Sequence, residues 1–251
     1  MPHSRLRAIW ALVSMNGFLP LKRQPLFLLN TLTSPFSFLF LIFVVSGGNP
    51  TYVQFAVAGG MVLTVLSIGT SLQTDLTHYK QDLKFHEMAV ASPVSAGTYV
   101  LGLALSEFVY SLPGMIVFVV LSLIWAHYVF LGGLIVFGTL VLLWIFASSL
   151  GFTLATYLAD VRETFAVSPL ISIALTVIPP VYYPIGALSR WPLLQDAAQF
   201  APTTWAANLV KGAMGLAPLS LESGIEAVVI LLASATVLFL IAWKKAQWRE
   251  N

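Results

Sequence analysis

Residues 73–97 read QTDLTHYKQDLKFHEMAVASPVSAG, and this stretch decides the fold. It holds Asp75, His78, Lys80, Asp82, Lys84, His86 and Glu87, and long apolar runs flank it on both sides. The simplest physical reading is a water-facing loop between two membrane spans. Its middle, residues 77–91, reads as a short helix, because Tyr79, Leu83, Phe85 and Met88 recur at roughly helical spacing among the charges. Pro93 ends that helix, since proline lacks an amide donor and biases Ser92 away from helical geometry. An amphipathic helix in a loop either offers its apolar face to a partner or rests on the lipid surface. The pattern by itself leaves both open.

The chain has 251 residues, of which 58% are hydrophobic and 9% charged. Soluble proteins carry about 25% charged residues, so a chain this poor in charge belongs in a membrane. It contains no cysteine, which excludes disulfides, thiol catalysis and cysteine metal sites. A span needs roughly 20 apolar residues. Six stretches qualify: 26–46, 53–74, 99–124, 129–158, 165–187 and 227–243. The expected fold class is therefore an all-α integral membrane protein with six spans, in one transmembrane domain over residues 1–251. Glu107 is the one formal charge inside these stretches.

Lysine and arginine give the orientation. Six spans put both termini on one side, with Arg5, Arg7, Lys22, Arg23, Lys80, Lys84, Arg162, Lys244, Lys245 and Arg249; the other side holds only Arg190 and Lys211. Ten against two predicts that both termini, the 73–97 loop and the tight Asp160-Val161-Arg162-Glu163 turn face the cytoplasm. Residues 3–22 read as an interfacial helix before the first span. Leu6, Ile9, Trp10 and Val13 fall on one face, with Arg5 and Arg7 suited to an anionic surface. The alternative is a frayed tail.

The outer segment 181–216 contains aromatics, Pro184, Pro192, Pro202 and an apolar helical pattern over 203–214, which Thr203 or Thr204 could cap. Pro179 and Pro180 lie inside the preceding apolar run. A double proline at membrane depth frees backbone groups that protein or trapped water must take up. Span five is expected to break near Pro179, with short helices re-entering the outer leaflet. The alternative is a simple kink followed by a loose loop. No internal repeat is apparent.

Much chemistry is excluded. There is no G-x-x-x-x-G-K-[ST] phosphate loop, so the chain has no ATP-binding motif of its own. There is no H-E-x-x-H motif, and His78 and His86 lack ligand-like companions. Neither a metal site nor a catalytic set is expected. Glu107 lies about nine residues into span three, roughly 13 Å deep by helix rise. A carboxylate there is costly. It either faces a pathway, touching substrate or relaying a proton, or it is a structural carboxyl paired with a neighbouring span. Asn30 and Tyr110 are candidate partners. Tyr182 and Tyr183 either line the outer mouth or form an interfacial belt.

Two passages carry a resemblance. The first is MAVASPVSAGTYVLG at 88–102. The second runs from YYPIGAL at 182–188 through WPLLQ at 191–195 and APTTW at 201–205 to Lys211-Gly212. With the order of elements, they resemble the permease subunit of type-2 ATP-binding-cassette exporters, over essentially the whole chain. Ser189-Arg190 stands where that family often has proline, and Lys211 where arginine is common.

The resemblance implies a half-transporter whose pathway forms with a second copy or a related permease. Separate ATPase subunits would bind ATP and magnesium, and this chain would hold no cofactor. Residues 77–91 would be the coupling helix, with Tyr79, Lys80, Asp82, Leu83, Lys84, Phe85, His86, Glu87 and Met88 contacting the ATPase. Asp160, Arg162 and Glu163 would make a second contact. Asn30, Glu107, Tyr110, Tyr182 and Tyr183 are the candidate pathway residues. The rivals are a proton-coupled secondary transporter using Glu107 and a membrane scaffold that transports nothing.

Overall fold

The computed structural model describes residues 2–23, 26–81, 94–126, 130–158 and 160–245, and all regular structure among them is helical. The chain opens with α1 (Pro2–Val13), a π-helical turn (Ser14–Phe18) and α2 (Leu19–Arg23). It continues with α3 (Leu26–Val45), α4 (Pro50–Gln81), α5 (Ala96–Ala126), α6 (Phe130–Tyr157) and α7 (Val161–Thr176). A 3-10 turn (Ile185–Leu188), α8 (Pro192–Gln199), α9 (Pro202–Ala213) and α10 (Leu221–Lys245) complete it.

Among the described residues, four helices are long and apolar enough to cross a membrane: Pro50–Tyr79, Ala96–Trp125, Phe130–Tyr157 and Leu221–Lys245. The expected first span, 26–46, corresponds to the 20-residue α3, Leu26–Val45. The expected fifth span, 165–187, is corrected: its helix starts at Val161 and stops at Thr176, 16 residues in all. At 1.5 Å per residue that is about 24 Å, short of the roughly 30 Å hydrocarbon core.

α4 sits at the centre and packs against α3, α5, α6, α7 and α9. Glycine makes this possible. A Cβ on Gly69 would run into the Ala147 carbonyl, and one on Gly151 into the carbonyl of Gly69, so α4 and α6 touch backbone to backbone. A Cβ on Gly59 would strike the Tyr182 ring, and one on Gly60 the Phe118 ring. Lipid tails are as apolar as leucine, so helices in a membrane gain from close packing rather than from hydrophobic exclusion. Buried hydroxyls are accommodated locally: Thr64 donates to Gly60 O at 2.8 Å and Thr77 to Gln73 O at 2.9 Å, each one turn back along the helix.

Two further expectations are corrected. The 73–97 stretch is not wholly a loop: α4 runs on through Gln81, and Gln73 and Thr77 are buried. The start of the 77–91 helix is thus the last turn of α4, while its remainder, 82–91, lies outside the described residues. The N-terminal helix also packs against the bundle. Leu12 and Val13 are buried, whereas Leu6 and Trp10 are exposed. A Cβ on Gly102 would meet Leu12, and one on Gly17 would lie 3.0 Å from Ser106 O, so this segment is wedged along the first half of α5. Finally, neither Thr203 nor Thr204 caps α9. Ala201 holds the cap position with Pro202 at the first turn, and the Thr204 hydroxyl reaches back to Ala198 O.

Gly69→Val is expected to destabilise the bundle by at least about 1–3 kcal/mol through overpacking, read as a lowered Tm and loss of the folded peak in size-exclusion chromatography. Gly138→Val, where a Cβ meets nothing within 4 Å, is expected to behave as wild type.

Candidate functional site

Polar groups converge at two depths. The first cluster joins the π-helical turn, α4 and α5. Glu107 is 6% exposed on α5 and lies beside the half-buried Asp75 of α4. Tyr79 follows Asp75 one helical turn further on, on the same face of α4. The Tyr79 hydroxyl in turn lies 3.0 Å from Asn16 Oδ1. Ser106 donates to Leu12 O at 3.1 Å and fastens the same segment to α5. Glu107 therefore does have a polar neighbour on another helix. That neighbour is Asp75, which counts by sequence as a loop charge. Tyr110 faces the pair from α5. Asn30 falls on α3, but its side chain lies outside what is described.

The second cluster closes the break after α7. Pro179 and Pro180 bring no N–H, and α7 ends before them at Thr176. The Tyr183 hydroxyl reaches back to Ile178 O at 2.8 Å and Val177 O at 3.2 Å. Lys211 of α9 is almost wholly buried. Its ammonium donates to Pro180 O and, at 2.9 Å, to Tyr183 O, with the Phe55 ring centroid 5.4 Å away. The freed carbonyls are thus met by protein, and the outer segment is ordered as helices. Lys211 is a structural cation rather than the loop charge it seems in sequence. Tyr182 is buried, stacked on Phe38 at 4.9 Å and seated on Gly59.

Two parts of the cytoplasmic reading come together. Asp160 caps α7, its Oδ1 accepting from Glu163 N at 2.8 Å. Arg162 and Glu163 beside it are exposed. Thr164 lies 3.4 Å from Thr77, hydroxyl to hydroxyl, and the Ser168 hydroxyl lies 3.2 Å from Gln73 Oε1. The Asp160 turn therefore sits beside the end of α4, where residues 77–91 begin. Tyr79 points into the bundle through Asn16 and Asp75. The Lys80 side chain and the residues Asp82, Leu83, Lys84, Phe85, His86, Glu87 and Met88 lie outside the described part. Lys245, at the end of α10, stands over the Tyr157 ring at 4.0 Å, which brings the α6 and α10 ends to the same level.

Asp75, Asn16 and Lys211 were missed by sequence reasoning. The i, i+4 spacing of Asp75 and Tyr79 marks one face of a helix, a signal available if α4 is continued past Thr74. Lys211 carried no such signal, because its acceptors lie 28 and 31 residues away.

The family model for the ABC-2 type transporter matches residues 7–214. The chain belongs to the ABC-2 type transporter family. That span takes in the N-terminal helix, the carboxyl cluster, the Asp160 turn and the Lys211 lock. No curated protein matches the sequence. The chain is thus a multi-pass membrane component of an ABC transporter, a permease that works with an ABC ATPase and is not itself the ATPase.

Lys211→Met should leave two buried carbonyls unpaired, at about 1–3 kcal/mol each, and Tyr183→Phe should cost less, because Val177 and Ile178 lie nearer the exposed end. The check is the Tm of the purified protein, with the larger fall expected for Lys211→Met.

Proposed function

We propose that this chain is the permease half of an ATP-driven exporter. Two copies, or one with a related permease, form the substrate pathway, and two ATPase subunits dock from the cytoplasm. The observation that carries the reading is the adjacency of Thr77 and Thr164. It puts the end of α4, where the 77–91 segment begins, beside the turn that carries the exposed Arg162 and Glu163. A partner pressing there moves α4 and α7 together. α4 is the central helix, so such a push reaches every neighbour it packs against. ATP binding closes the paired ATPases and draws the two coupling helices together. The preference of ATP for the closed state supplies the bias that any ligand-driven shift needs. The spans then rock, and a path opens outward between the two permeases.

The ten-to-two distribution of lysine and arginine supports cytoplasmic termini. A location in the plasma membrane goes with that reading, and ATP and magnesium belong to the ATPase partner. The pathway assignment rests on fewer residues than the sequence suggested. Tyr182 is enclosed between Phe38 and Gly59, and Tyr183 is engaged with the ends of α7. Glu107 lies beside Asp75, which favours a structural role over a lone pore-facing carboxylate. The half-exposed Tyr110 remains the pathway candidate nearest to it.

Co-purification of the chain with its ATPase, followed by ATP hydrolysis in lipid, tests the reading. Phe85→Asp and Leu83→Asp should each reduce ATP hydrolysis to the rate of the ATPase alone, while the permease still folds and inserts. Undiminished hydrolysis and transport in both variants would refute the coupling assignment.

A further inference from the structure

A cavity of about 580 Å³ lies between the first halves of α6 and α10, with α9 beneath it. Its floor is buried, with Thr139 of α6 and Leu209 of α9. Its rim is exposed, with Leu221, Ile225 and Val229 of α10. Both long helices are apolar enough to span a membrane, so the mouth opens sideways, towards lipid. Gly138 and Gly224 also line it, and a Cβ on either would meet nothing within 4 Å. Gly69 and Gly151 lack a side chain where two backbones touch. Gly138 and Gly224 lack one beside open space, and so keep the cavity wide.

The two hydroxyls in the lining are already engaged. Thr139 donates to Ile135 O at 2.7 Å, and the Ser220 hydroxyl lies 3.0 Å from that of Ser223. Every other side chain in the lining is that of an isoleucine, leucine or valine. A buried water needs about two to four polar partners, so a cavity of this chemistry does not hold water well. Left empty, it would forfeit the dispersion contacts of its walls. Its occupant is therefore apolar. Its size is that of a ligand site, about 300–1,000 Å³.

Shape narrows the choice. The lining takes in 135–142 of α6 and 221–229 of α10, each stretch about 10–12 Å long by helix rise. Half of the hydrocarbon core is about 15 Å. The slot thus runs along the helices through most of one leaflet, the direction in which acyl chains lie. Ser220 marks its end at the start of α10, where a headgroup would meet water. We propose that this cavity seats one acyl chain of a membrane phospholipid, entering between α6 and α10 with its headgroup at the Ser220 end. A polar solute would find no open hydrogen-bonding side chain there, and none of the candidate pathway residues lines the cavity. The lipid site is thus separate from the transport pathway, and it ties the start of α10 to α6 and α9.

The test uses the purified full chain in phosphatidylcholine nanodiscs that contain a small share of phosphatidylcholine with a photoreactive diazirine midway along one acyl chain. After illumination, peptide mass spectrometry locates the lipid adducts. Residues 135–142 and 225–229 should carry several times the adducts found on 237–241, a largely exposed stretch equally far from the other end of α10. Gly138→Leu and Gly224→Leu should each remove that excess, while Tm and the size-exclusion peak stay as in wild type; either serves if the other fails to fold. Gly186→Leu also enters open space, but outside the cavity, and should keep the excess. An even spread of adducts along α10, or an excess that survives both filled variants, would overturn the proposal. So would a disulfide-linked dimer of Ile225→Cys on oxidation, which would place a second copy at the cavity; the natural chain has no cysteine to form that bond elsewhere. None of these readouts involves the ATPase, so failure of the lipid site is distinguishable from failure of the exporter reading.

Discussion

Gly69 and Gly151 bring the backbones of α4 and α6 into direct contact, and the rest of the bundle is arranged around that approach. In a membrane, neighbouring helices gain little from leaving the lipid, so dispersion at short range carries the packing. A side chain at either glycine would hold the axes apart and thin the contacts along both helices. With α4 held there, Gly59 and Gly60 can receive the rings of Tyr182 and Phe118. The helix becomes enclosed on nearly all sides. Enclosure is also why α4 carries Gln73, Asp75 and Thr77 as interior groups, each facing a polar side chain of another helix.

A second constraint is that a membrane offers no water to an unpaired carbonyl. Pro179 and Pro180 create several such groups, and two side chains answer them. The Tyr183 hydroxyl reaches back over the end of α7. Lys211 comes from α9 to hold the carbonyls of Pro180 and Tyr183. The break is therefore a defined junction. It fixes the outer segment against α4 and lets the chain pass through the outer half of the bundle as short helices. A lysine serves well because its three donors can divide among several carbonyls.

The end of the bundle around Thr77 and Asp160 has a different character. There α4 meets α7 through hydroxyls and the Gln73 amide, and meets the N-terminal segment through Tyr79 and Asn16. Polar joints of this kind depend on protons and on partners, so they can be altered without unpacking the core. That division gives the protein a rigid middle with polar joints at one end.

How much was legible follows from what each signal measures. Hydropathy is a local sum, and it placed the chain in a membrane and located most of its spans. Proline chemistry is also local, and it predicted the break near Pro179. The spacing of prolines and aromatics from Tyr182 to Gly212 pointed to the family that the comparison confirms. The local sum failed where a charge is paired across elements. Asp75 looked like the start of a loop because its neighbour, Glu107, lies on another helix. Lys211 looked like an outer charge because its acceptors are backbone carbonyls exposed by a distant break. Thr203 and Thr204 looked like caps, yet Pro202 starts α9 without one. By itself the sequence determined the medium, the helical class and the place where a helix must break, because those depend on neighbouring residues alone. The tertiary structure decided which polar groups meet inside, because a buried charge is tolerated only where packing delivers its partner.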